Sequence, residues 1–257
     1  MDPATVIGVI LAFAALFGSM IMEGGSPASL FLLPPMFLVF VGSFAVSLAS
    51  NTVPGFLGSA KWLVYALTAK KPDVEAVVEP LVKMAERARR EGLLALEQEM
   101  ETVNDPFMKH GLQMAVDGTD PDDLWEILSA EVRAKKTSAA NGAKFWEDAG
   151  GYAPTIGILG TVMGLVTVLK NLADPAELGG HIAVAFLATL WGVLLANLLC
   201  IPFGKRIKTV AAAESARMEL IIEGVLAIQA GSNPRVVATK LKSKMTPVGP
   251  PAAKEAA

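Results

Sequence analysis

Four stretches of this chain, residues 5–22, 32–50, 152–169 and 183–204, run apolar without Asp, Glu, Lys or Arg. Each has 18 to 22 residues, which at about 1.5 Å of rise per residue reaches roughly 27 to 33 Å, the thickness of a hydrocarbon core. Between the second and third stretches the pattern changes to apolar positions at helical spacing among charges. Leu81, Met84, Ala85, Ala88, Leu93 and Leu96 make one stripe interrupted by Gly92, and a second helix is predicted near residues 106–116. In the turn DGTDPDD, Asp120 suits an N-cap with Pro121 at the first helical position, and LWEILSAEVRAKK then continues toward the third stretch. Beyond the fourth, Val210, Met218, Ile221, Ile222, Val225 and Leu226 define a helix over residues 206–229, predicted to pack on the middle domain.

This pattern predicts an all-α integral membrane protein: four transmembrane helices, a helical cytoplasmic domain inserted between helices 2 and 3, and a cytoplasmic C-terminal helix. The expected divisions are 1–54 (helices 1 and 2), 55–150 (the cytoplasmic domain), 151–204 (helices 3 and 4) and 205–245 (the C-terminal helical segment). The last residues, 246–257, read TPVGPPAAKEAA without periodicity and are expected to be disordered.

Composition agrees with a membrane protein, with 53% apolar residues and a mean hydropathy of +0.47. MDPAT has no positive n-region and MIMEGG no small-residue cleavage site, so the first apolar stretch is expected to be a retained span rather than a signal peptide. Of 22 Lys and Arg, 12 fall in residues 51–151 and 9 after residue 204, leaving Lys170 at the end of the third stretch. The positive-inside rule therefore places the middle segment and both termini in the cytoplasm, in a multi-pass protein of the inner membrane. A net charge of −3 with no basic, aromatic-interleaved patch gives no reason to expect nucleic acid.

Reactive chemistry is sparse. Cys200 has no partner for a disulfide and reads as a small apolar filler. His110 and His181 fall on opposite sides of the membrane in this topology and cannot share a metal, and His181 reads as a surface residue. No phosphate loop, metal cluster or nucleophile triad is visible, so neither an enzyme nor a cofactor is expected.

Projected at 100° per residue, Pro154, Gly157, Thr161 and Gly164 fall within about 80° of one another, with Gly160 at the border. In the fourth stretch Ala185, Ala188, Thr189, Gly192 and Ala196 fall within about 100°. Each helix thus presents a small-residue strip carrying one hydroxyl. Gly160 with Gly164, and Ala188 with Gly192 and Ala196, have the fourfold spacing that lets membrane helices pack closely. The threonines could equally bond carbonyls of their own helices. Pro202 lies in a helix that continues into GKRIKTVAAAE and should kink it, whereas Pro154 is read near a helix start. An ion path through lipid needs an ionisable group, and these spans contain none. If this chain helps move ions, a carboxylate must come from another polypeptide.

The segment YAPTIGILGTVMGLVTVLKNLADPAELGGHIAVAFLATLWGVLLANLLCIPFGKRI, with RREGLLALE, VDGTDP and IQAGSNPR, resembles the flagellar-stator family of MotA and its sodium-type relative PomA, from Thr5 to about Leu241. The resemblance implies a ring of copies, a pentamer, around a MotB-like single-span partner bearing an intramembrane Asp, and torque delivered to a FliG-like rotor switch protein. It implies Thr161 and Thr189 as hydroxyls beside the ion pathway, Pro154 and Pro202 as the conformational couplers, and Arg89 and Glu97 as the rotor-engaging charges. Trp191 stands where a tyrosine is frequent, and Ala188 where sodium-type members often carry a second threonine, which favours H+ over Na+ as the conducted ion. The alternatives are an ExbB/TolQ-like energiser of outer-membrane transport, which usually has three spans and lacks RREGLLALE, and a passive membrane scaffold.

Overall fold

The computed structural model describes residues 4–69, 73–172 and 175–245, and the tail expected to be disordered lies outside them. Those residues are mostly helical, with no strand among them. The helices are α1 (Ala4–Met22), α2 (Leu33–Ala49), α3 (Val53–Thr68), α4 (Val78–Glu91), α5 (Leu96–Met100), α6 (Pro106–Val116), α7 (Pro121–Lys170), α8 (Pro175–Leu194), α9 (Ile201–Gln229) and α10 (Pro234–Lys244). A π-helical turn, Leu195–Cys200, joins α8 to α9, so Glu177–Gln229 runs as one long rod.

One start signal recurs. Asp105 precedes Pro106 and accepts from the Phe107 and Met108 amides at 2.9 and 3.0 Å. Asp120 precedes Pro121 and accepts from Asp122 N at 2.9 Å. Asn233 precedes Pro234 and accepts from Arg235 N at 3.0 Å. Proline fixes φ for the first turn while the preceding polar side chain satisfies an amide with no helical partner. Gly231, at φ 66°, ends the long rod before α10 begins. The expected single C-terminal helix is therefore two.

Among the described residues three helices, α1, α7 and the Glu177–Gln229 rod, are long and apolar enough to cross a membrane. The 17-residue α2 joins α3 through a 120° bend, and counting that pair as one span makes four. Asn51 holds the corner, its Nδ2 donating to Ser47 O at 2.8 Å and to Asp148 Oδ2 at 3.1 Å.

The chain forms two compact units. The first comprises Met1–Lys70 with Ser138–Val210, and the second Lys71–Thr137 with Ala211–Ala257. In the first, α2 packs on α8, and Val39, Ala149, Ala153, Trp191, Leu195 and Cys200 form its buried centre. In the second, α4 packs on α10, and Leu81, Leu96, Leu112, Leu128, Ile221 and Leu241 are fully buried or nearly so. The stripes read from the sequence on α4 and α9 meet in this second core. Arg217 ties it together, pairing with Asp105 and, at 2.9 Å, with Glu214, which also takes Lys135 at 3.0 Å.

Candidate functional site

The small-residue strip of α7 lies directly on that of α8. A methyl group at Gly157 would come 2.8 Å from Ala188 O, one at Gly160 2.6 Å from Ala188 Cβ, and one at Gly164 2.6 Å from Ala185 Cβ. From the other side, a methyl at Gly192 would stand 2.6 Å from Ala153 O. Only glycine permits backbones this close, and the close approach brings polar backbone atoms within reach of side chains across the seam. Ala196 lies farther along, inside the π-helical turn, clustered with Ala149 and Ala153.

At the middle of the seam the two hydroxyls meet, with Thr161 Oγ1 and Thr189 Oγ1 2.5 Å apart. Thr161 also reaches Ala185 O at 3.0 Å and Gly157 O at 3.2 Å, and Thr189 reaches Gly157 O at 3.4 Å. Thr161 realises both sequence-based options, contacting a carbonyl of its own helix and the hydroxyl across the seam, whereas the contacts of Thr189 run to α7, to Gly157 O and to the Thr161 hydroxyl. The result is a half-buried cluster of four oxygens, two hydroxyl and two carbonyl. Two hydroxyl protons are shared among these contacts, so lone pairs remain. Oxygen-only clusters of this kind suit a hard cation or a hydrated proton. Nothing in the cluster titrates.

Pro154 lies deep within the 50-residue α7, not near a helix start as the sequence suggested. It cannot donate to the Gly150 carbonyl, so α7 lacks one rung of its ladder in the turn below Gly157. Pro202 is also inside the continuous rod. The kink expected there is expressed as the π-helical turn Leu195–Cys200 immediately before it. The missing amide leaves the Leu198 carbonyl without its usual donor, and slipping the register by one residue absorbs the misfit. Just beyond, Gly150 and Gly204 keep α7 and α9 close: a methyl at Gly150 would meet Ile201 Cγ1 at 2.8 Å, and one at Gly204 would meet Ala143 O at 3.1 Å.

Arg89 and Glu97 flank the break between α4 and α5, where Gly92 adopts φ 85°. Both are exposed and neither makes a hydrogen bond or ion pair among the described residues. Their neighbours are engaged: Arg90 pairs with Glu86 at 2.5 Å, and Arg87 with Glu91 and Glu99 at 3.2 and 2.5 Å. These contacts hold the Arg87 guanidinium above its ordinary pKa, Glu99 being the stronger influence.

Two features escaped the sequence reading. Leu94, between the two free charges, is 72% exposed while Leu96 is fully buried. The apolar run LLAL concealed this, because periodicity alone does not say which leucine faces out across a glycine break. Trp191 Nε1 donates to Leu30 O at 2.7 Å, and its ring packs against Phe31 and Phe40. That places a polar handle of α8 on the segment before α2, beside the strip carrying Thr189.

With this geometry in view, the comparisons are consistent. Residues 99–220 match the model of the MotA/TolQ/ExbB proton channel family. The chain is 35% identical to Motility protein A of Borreliella burgdorferi, over 96% of this chain and 95% of that one. It is 36% identical to Chemotaxis protein PomA of Vibrio alginolyticus, over 95% of each. Its fold is similar to the structure of the flagellar MotAB stator complex from Bacillus subtilis, with a TM-score of 0.87 and 35% identity across 93% of this chain and 94% of that one.

Proposed function

As this chain belongs to the MotA/TolQ/ExbB proton channel family and is a stator subunit of the bacterial flagellar motor, we propose that it forms the wall and the lever of an ion pathway whose titrating carboxylate is supplied by a MotB-like partner. The observation carrying this reading is the Thr161–Thr189 oxygen cluster, set in two spans that contain no Asp, Glu, Lys, Arg or His. Hydroxyls and carbonyls can help an ion shed water, but they cannot hold and release a proton near neutral pH. An Asp on a partner helix beside the seam completes the path.

In this reading the four apolar segments cross the inner membrane with both termini in the cytoplasm, as the distribution of Lys and Arg supports. Self-association in a pentameric ring covers apolar surface left open here: α1 has no buried residue, and Ile158, Leu159, Val162 and Met163 of α7 are exposed. Binding of the ion changes the charge state of the partner's Asp beside the seam. The rungs missing at Pro154 and the register slip before Pro202 are where the helices yield. Arg89 and Glu97, exposed and uncommitted, meet a FliG-like rotor switch protein. Exposed charges suit contacts that form and break in each step, because each pair is worth only about 0 to 1 kcal/mol. Ala188 supplies no hydroxyl to the cluster and is held small by Gly160, which favours H+ over Na+.

Reconstitution in vesicles tests the central claim. This chain alone is expected to conduct no ions, and addition of the partner should open a flux that disappears when the partner's membrane Asp becomes Asn. Robust conduction by this chain alone would overturn the reading.

A further inference from the structure

Thr161 and Thr189 meet at one rotational setting of α8 about its own axis. A turn of about 30° away from it carries a hydroxyl through roughly 2 Å, enough to break a hydrogen bond. The seam with α7 does little to hold that angle. Its contacts are Gly157, Gly160 and Gly164 on one side and Ala185, Ala188 and Thr189 on the other, and strips of small residues seat no bulky side chain in a groove of the neighbour. The constraint has to act from the opposite face of α8.

Trp191 lies on that face. It follows Thr189 by two residues, hence about 200° round the helix and roughly 3 Å along it. Its side chain is buried where α2 packs on α8. The indole Nε1 donates to Leu30 O at 2.7 Å, and the same carbonyl accepts from Leu32 N at 3.2 Å. The ring centroid stands 5.5 Å from that of Phe31 and 5.8 Å from that of Phe40, and Phe31 in turn lies 6.0 Å from Phe17 of α1. The aromatic contacts fill space, whereas the hydrogen bond fixes a direction. In apolar surroundings neither the indole N–H nor the carbonyl can exchange its partner for water without cost.

We propose that Trp191 is a positioning residue of the ion pathway, its bond to Leu30 O fixing the rotation of α8 at which Thr189 faces Thr161. The role rests on the reading of that pair as pathway hydroxyls. Leu195 opens the π-helical turn just beyond Trp191, so this latch holds the threonine end of the rod while the register slip before Pro202 stays free to yield.

Disulfide trapping in the assembled complex with its partner tests the proposal. In a chain carrying Thr161→Cys and Thr189→Cys, with the buried free thiol removed by Cys200→Ala, copper phenanthroline should close a disulfide rapidly, followed as loss of thiols that take a maleimide mass tag after denaturation. Adding Trp191→Phe, which keeps a ring and removes the donor, should slow closure about fivefold, the scale of one hydrogen bond. Trp191→His should restore it to within about twofold although imidazole is smaller than phenyl, because its Nε2 takes the place that Nε1 holds in the five-membered ring of indole. Native mass spectrometry should count the same number of copies per complex throughout. Closure unchanged by Trp191→Phe, or no faster in Trp191→His than in Trp191→Phe, would overturn the proposal. Without the added cysteines, ion flux in vesicles should fall in Trp191→Phe and recover in Trp191→His. Slow closure with undiminished flux would leave the positioning of Thr189 standing and refute the pathway reading instead.

Discussion

Thr189 gains its meaning from an atom 28 residues away, the Thr161 hydroxyl that it meets across the α7–α8 seam. Thr189→Val keeps the volume and removes that contact, so the complex should assemble at normal levels while swimming is lost or falls at least about tenfold, the scale of one lost polar contact at a site of charge movement. Pro154→Ala restores a donor to the α7 ladder and should slow swimming without loss of assembly, because a regular helix resists the bend that the missing rung allows. Full motility in both variants would favour a passive scaffold. At Arg89 and Glu97 the expectation is different. Arg89→Glu or Glu97→Lys should lower torque on tethered cells and leave ion conduction in reconstituted complexes unchanged, since both side chains are exposed and make no hydrogen bond or ion pair among the described residues. Conduction falling with torque would assign them to the membrane part instead. Arg89 and Arg90 cannot be separated by their place in RREGLLALE, yet they differ structurally, because Arg90 is spent on Glu86.

Among the elements, α10 shows how electrostatics can dock a helix whose sequence gives little apolar signal. Val237 and Leu241 bury into the second core, and Lys240 and Lys244 both grip Glu223 of α9, Lys240 at 2.8 Å. Burial pushes the Glu223 carboxyl up, but hydrogen bonds from the two lysines outweigh it and hold the group below the usual carboxylate range. A depressed carboxylate contributes stability that is fully present above its ordinary value, about 4.3, and is lost as pH falls through the lower folded value. Amides of α10 should therefore lose hydrogen-exchange protection on acidification below about pH 4, and Glu223→Gln should show weaker protection already at pH 7. Equal, pH-independent protection in both proteins would mean that Val237 and Leu241 alone hold the helix. In the seam of α7 and α8 the balance is the opposite, because closeness there depends on missing side chains. The methyl of an alanine at Gly192 would land 2.6 Å from a carbonyl oxygen, where neither helix can give way without opening the seam.

For the molecule as a whole, the conducted ion is the property that the oxygen cluster bears on most directly. With Ala188 in place of a third hydroxyl, swimming speed should follow external pH and stay flat as sodium is varied at fixed pH; a saturable rise with sodium would reverse that assignment. Much of this protein is legible in one dimension. Apolar runs free of charge mark membrane helices, Asp-Pro and Asn-Pro pairs mark helix starts, and the absence of a carboxylate from every span already points to a partner for ion movement. Those features are local, set by the length, sign and period of neighbouring residues. Even α10 carried the same start signal as α6 and α7, at Asn233 and Pro234, and was hidden only by its short apolar stripe. What needed the tertiary structure was every choice among equals: that Leu94 faces out and Leu96 in, that Arg89 is free while Arg90 is paired, that Pro202 is answered by a register slip, and that the two threonines touch. Each depends on atoms distant in sequence and fixed by packing, a many-body condition on which no periodicity along the chain reports.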